Sequence, residues 1–296
     1  MEKNLTHGSV FKNIVFFSLP YLLSYFLQTL YGMADLFIIG QFASVADTTA
    51  VSVGSQIMHM LTVMIVGLAM GTTVSIANAV GAGDRKRAAQ SIGNTVTLFM
   101  SLSVVLMGLL LLSVRPITAV MATPPQAVAS TVSYLTVCFL GIPFITAYNI
   151  LASVFRGMGD SKSPMYFIAV ACVCNIGLDF LFIGALGLGP VGAALGTTLS
   201  QTVSVALSLC VIVKKRSIGL SKSDFKPKKA VMRRLLSIGL PVAAQDGLIQ
   251  IAFIVITVIA NSRGLNTAAA VGIVEKIIGF VFLVPSSLLS AVSALG

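Results

Sequence analysis

The sequence predicts an all-α polytopic membrane protein with eight transmembrane spans, on three observations. Only 9% of its 296 residues are charged and 56% are hydrophobic, whereas a soluble domain needs about a quarter charged residues to keep its surface wetted. Apolar stretches that reach the roughly 20 residues a helix needs to cross hydrocarbon recur along the chain. The breaks between them are short and rich in glycine, proline or charge: GAGDRKRAA (81–89), RPITAVMATPP (115–125), RGMGDSKSP (156–164), GLGP (187–190) and a basic run from Lys214 to Arg234.

These breaks bound spans at 11–40, 50–80, 91–114, 126–153, 165–186, 191–213, 235–260 and 268–296. The first apolar run is too long for the hydrophobic part of a signal peptide, and it lacks a small-residue cleavage pattern, so it is read as a retained helix. Eight crossings send the loops to alternate faces, and sixteen of the nineteen Lys and Arg residues then fall on one face. Arg115 and Arg263 fall on the other, with Lys276 inside the last span. The positive-inside rule places the N-terminus and the basic loops in the cytoplasm of a multi-pass protein of a bacterial inner (plasma) membrane. Loops therefore account for the net charge of +10, and no nucleic-acid partner is implied. The cysteines, Cys138, Cys172, Cys174 and Cys210, all lie in apolar stretches, where thiols act as small hydrophobes, so neither a disulfide nor a zinc framework is expected.

An internal repeat shapes the domain reading. SLP at 18–20 recurs as GLP at 239–241, and AVSVGSQI at 50–57 recurs as AVGIVEKI at 270–277, offsets of 221 and 220. An offset spanning six helices returns the second copy in the same direction, the parallel-repeat plan of two lobes about an axis normal to the membrane. The chain is accordingly divided into a six-helix N-terminal lobe (11–213), a basic cytoplasmic inter-lobe linker (214–234) and the start of a second lobe (235–296). The chain stops inside its eighth span, so the expectation is a truncated product or fragment.

Ionisable groups inside a membrane are costly and mark functional sites by default. Here they are Asp35, Asp179, Asp246, Glu275 and Lys276. Asn175 and Asp179 stack on one helical face at a spacing of four, and Gln28, Tyr31, Gly32 and Asp35 form a polar stripe in an otherwise apolar helix. Further polar residues are Thr197, Thr198 and Gln201 in the sixth span, with Tyr134 and Asn149 in the fourth. Oxygen ligands of this kind suit Na⁺, and a desolvated carboxylate suits H⁺, so either ion fits and no other cofactor is implied. Asp35 has a competing reading as an interhelical hydrogen-bonding residue near the outer interface. Asp246 is read as about a turn and a half past the basic loop, within snorkelling reach of water. Pro20 either bends the first helix or lies near its start. With neither HExxH nor GxSxG present, no enzyme is expected.

The segments SLPYLLSYFLQTLYGMADLFIIGQF, GAGDRKRA, RGMGDSKSP, NIGLDFLFIG and GPVGAALGTTLSQ together resemble the multidrug and toxic compound extrusion (MATE) family of secondary transporters, from about residue 11 to the end. The resemblance implies two six-helix lobes and export of cationic or amphipathic small molecules in exchange for H⁺ or Na⁺. It implies that Asp35, Asn175, Asp179 and Thr197 form the cation site of the N-terminal lobe, supported by Tyr134 and Asn149, and that Pro20 marks the bend of the first helix. A lipid-linked oligosaccharide flippase of the same superfamily would want cations in its cavity, yet apart from Lys12 at the edge of the first, the first six spans contain no Lys or Arg. An inactive half-transporter is the remaining alternative.

Overall fold

The computed structural model describes residues 10–215, 220–262 and 265–295. Among the described residues the chain is a bundle of helices without strands: α1 (Val10–Phe42), α2 (Val45–Gly81), α3 (Arg85–Val120), α4 (Val128–Leu140), α5 (Ile142–Gly157), α6 (Lys162–Asp179), α7 (Gly189–Lys215), α8 (Lys229–Ser262) and α9 (Leu265–Leu295). Seven helices are long and apolar enough to cross a membrane, and α4 with α5 supplies an eighth span if the pair counts as one. Their outer faces carry apolar side chains such as Leu112, Val173 and Val213, as contact with acyl chains requires. Arg263 and the side chains of Glu275 and Lys276 lie outside the described residues.

Local chemistry sets the helix starts. Ser44 caps α2 by accepting from the Asp47 N–H at 3.2 Å, and Asp84 caps α3 by accepting from the Arg87 N–H at 2.9 Å. These caps carry both helices beyond the predicted apolar limits, to Val45 and Arg85 rather than 50 and 91. Two other predicted boundaries also move. The fourth span is not one rod: the chain bends by 46° between α4 and α5 at Gly141, with Pro143 in the first turn of α5. And α3 runs through Arg115 and Pro116 to Val120, stopping only before Ala122, whose φ is +49°.

The basic linker is also shorter than predicted, because α8 begins at Lys229 and absorbs the last six linker residues. Before it, Lys222–Phe225 forms a 3₁₀ turn stapled to α3: Asn94 Nδ2 donates to the Asp224 carbonyl at 3.1 Å, its Oδ1 accepts from the Lys228 N–H at 2.7 Å, and Thr97 Oγ1 donates to the Phe225 carbonyl at 2.8 Å. Arg156, counted as a loop residue, is buried in the last turn of α5 with its guanidinium 4.4 Å from the Tyr21 ring centre.

Two apolar cores hold α1 to α7 together. One joins Ile38, Ile57, Leu61, Leu135, Phe139 and Ile183; the other joins Tyr148, Phe155, Phe167 and Ile168. The last two helices pack crosswise on the first two, α8 on α2 and α9 on α1. Such reciprocal pairing is what a twofold axis between two helix pairs generates, in keeping with the sequence repeat.

Candidate functional site

Three helices converge on one polar pocket between the two apolar cores. On α1, Leu27 and Tyr31 pack on one core and Leu36 on the other, so Asp35 points between them. Residues three or four apart share a helical face, which aligns Asn175 with Asp179 on α6 and Thr197 with Gln201 on α7. Because α1, α6 and α7 pack mutually, those faces meet.

The pocket is dry. Asp35 is 6% exposed, Asn175 1%, Asp179 0% and Gln201 5%. Thr197 Oγ1 donates to Asp35 Oδ2 at 3.3 Å, and the side chains of Asp179 and Asn175 lie beside the same carboxyl group. Gln201 adjoins the Tyr31 hydroxyl, and Tyr134 and Cys138 close the pocket on the α4 side.

Two backbone features hold Asp179 in place. It is the final residue of α6, after which the chain widens into a π-helical turn, Phe180–Ala185, and the Leu186 N–H bonds the Leu181 carbonyl at 2.9 Å. Such turns re-aim side chains and recur at functional sites. Facing it on α7 is Gly196, where any Cβ would run into Asp179 Oδ1 and lie 3.6 Å from Asn175 Nδ2. The carboxyl group thus rests against bare helix backbone.

Buried polar atoms are nearly always hydrogen-bonded, yet here both Asp179 oxygens, Asp35 Oδ1 and both polar atoms of the Asn175 amide have no partner. Two ionised carboxylates repel, and neither can donate to the other. A shared proton relieves the carboxylate repulsion, and a small cation can be bound by the carboxylate, amide and hydroxyl oxygens together. Among the described residues no group of three His, Cys, Asp or Glu is placed to hold a metal.

The structure thus brings together Asp35, Asn175, Asp179, Thr197 and Gln201, with Tyr134 at the wall. Other predicted residues are placed by their own contacts and positions. Thr198 faces the α4–α5 bend, where a Cβ on Gly141 would lie 2.7 Å from its hydroxyl. Asn149 donates to the Ile145 carbonyl of its own helix at 2.8 Å. Gln28 is half-buried, about two turns from Asp35 along α1. Pro20 lies inside α1, ten residues past its start, and not in its first turn. Asp246 is not within a turn and a half of the linker: it lies seventeen residues into α8, half-buried, with Oδ2 3.2 Å from where a Gly67 Cβ would be. Even from the predicted end of the basic run at Arg234, Asp246 lies twelve residues on, about three turns, beyond snorkelling reach. Sequence reasoning missed the π turn and Cys138. It also missed Gly196, whose lack of a side chain is what accommodates the Asp179 carboxyl group.

The MatE family model matches residues 20–181. The chain is 30% identical over 294 residues to "Probable multidrug resistance protein YoeA" of Bacillus subtilis, covering 96% of this chain and 63% of that protein. It superposes on a crystal structure described as MATE in the bent conformation with a TM-score of 0.90 and 26% identity, over 98% of this chain and 65% of that one. A structure described as MATE in the straight conformation gives a TM-score of 0.89 at 25% identity, over the same shares. The chain thus spans a little under two thirds of the length of these relatives.

Proposed function

Because this multi-pass membrane chain belongs to the MATE family, we propose that it acts in cation-coupled efflux, as an antiporter exporting cationic or amphipathic small molecules in exchange for H⁺ or Na⁺. The observation that carries this reading is the buried pair Asp35 and Asp179, whose oxygens lack partners while Asn175 and Thr197 adjoin them. The multidrug-resistance name borne by the Bacillus relative supports the substrate class.

Coupling requires that the cation bind one conformation better than another. With the pocket charged and empty, carboxylate repulsion in a low-dielectric site pushes α1 from α6 and α7. A bound cation removes that repulsion and draws the three helices together. Pro20, without an amide hydrogen to give to the preceding turn, is a weak point at which α1 bends in response. The basic loops favour a cytoplasmic N-terminus, so export runs toward the face on which α1 ends.

Transport assays in everted vesicles carrying the full transporter test this. Asp35→Asn and Asp179→Asn are each expected to abolish drug-dependent dissipation of an imposed ion gradient while protein levels hold. Imposing a pH gradient without Na⁺, then a Na⁺ gradient without a pH gradient, assigns the ion. Retained coupled transport in both variants refutes the cation site.

A further inference from the structure

At the basic end of the bundle, far from the carboxylate pocket, α2, α3 and α8 enclose a cavity of about 210 Å³ lined by Ser75, Arg87, Ser91, Ala230, Val231 and Arg234. Ser75 is 3% exposed and Ser91 4%. The Ser75 Oγ is buried without a hydrogen-bond partner. One turn deeper, a Cβ on Gly71 would lie 3.1 Å from the Gly239 nitrogen, so helix backbones in contact form the floor. That contact fixes the registry of Ser75 against Arg234.

The chemistry of the lining is selective. Two guanidinium groups, from α3 and from α8, offer planar forks suited to phosphate oxygens. Ala230 and Val231 belong to the first turn of α8, where N–H groups and the helix dipole add positive potential. Two acids of this face are already engaged: Asp84 accepts from the Arg87 N–H at 2.9 Å, and Asp224 from the Ser221 N–H at 2.9 Å. The cavity exceeds the roughly 30 Å³ share of one water several-fold, room enough for a phosphate group.

We propose that this cavity binds a phosphate group, held by Arg87, Arg234 and Ser75, which bridges α3 to α8 at the basic face of the membrane. Its place at that interface makes the headgroup of an anionic phospholipid one source and soluble phosphate the other. The site shares no residue with the carboxylate pocket, so the two readings stand or fall separately.

The test is native mass spectrometry of the purified protein in neutral detergent, titrated with phosphatidylglycerol, with phosphatidylcholine and, in a separate arm, with inorganic phosphate. Arg87→Gln and Arg234→Gln are each expected to weaken retention about tenfold, the scale of losing one charge-assisted hydrogen bond. Ser75→Ala is expected to weaken it less. The paired control Lys222→Gln with Lys226→Gln, exposed residues outside the cavity, is expected to leave retention unchanged. Selective, arginine-dependent retention of phosphatidylglycerol assigns the lipid, and arginine-dependent binding of inorganic phosphate alone assigns the soluble anion. Absence of both, or an equal loss in the lysine control, overturns the proposal. Both arginines are exposed, and size-exclusion profiles matching the parent protein establish that each variant folds.

Discussion

Where α2 meets α8, backbone lies on backbone: a Cβ on Gly67 would sit 2.8 Å from Ala243 Cα, and one on Gly239 would sit 2.9 Å from the Leu68 carbonyl carbon. Where α1 meets α6 and α7, the chain instead buries two carboxyl groups and an amide, most of their polar atoms unbonded, beside a half-buried hydroxyl. Lipid chains are as apolar as leucine, so close van der Waals contact through small residues is what holds membrane helices together. The first contact is therefore built to stay shut. The second, under the proposed function, closes only around a cation, and so is the contact expected to change.

The comparison breaks most severely at the glycine seam. Gly71→Leu drives a side chain into helix backbone that has nowhere to go, and is expected to cost about 3 kcal/mol or more, read as loss of monodisperse protein in detergent. Gly32→Ala, with nothing within 4 Å of its Cβ, is the control and should be silent. Gly196→Ala comes next: its Cβ meets the end of a side chain rather than backbone, so about 1–3 kcal/mol of stability is lost, with transport falling further than stability because Asp179 is displaced. Asp179→Asn should reverse that pattern, abolishing coupled transport while thermal stability without the cation holds or rises, since one buried like charge is gone. The smallest effect belongs to Thr197→Val. It removes one hydrogen bond to Asp35, worth about 0.5–1.5 kcal/mol, and should lower cation affinity about tenfold or less in a binding titration.

Eight spans were legible because hydrocarbon imposes its own length on apolar runs, a constraint that each stretch meets by itself. Boundaries were less legible: the caps at Ser44 and Asp84 extend helices past the apolar limits, and the bend at Gly141 and Pro143 lies inside a run without charged residues. In the pocket, Asn175 with Asp179 was readable from their spacing of four. That Asp35 and Thr197 come from two other helices to meet them was reached only through family resemblance. Thr198, adjacent to Thr197, was read as its companion, yet a helix turns neighbours about 100° apart and sends it to the bend. Nothing around Gly196 in the sequence signals that it faces a carboxylate oxygen.

Composition and spacing by themselves determined that this chain is a membrane bundle, about how often it crosses, and that Asp35 and Asp179 lie within it, because those properties depend on transfer free energies and helical period that act residue by residue. Tertiary structure alone decided which polar residues share a pocket, which glycines touch backbone, and that two arginines 147 positions apart line one cavity. Those outcomes depend on the rotation and registry of whole helices against one another, which the packing of many side chains sets at once.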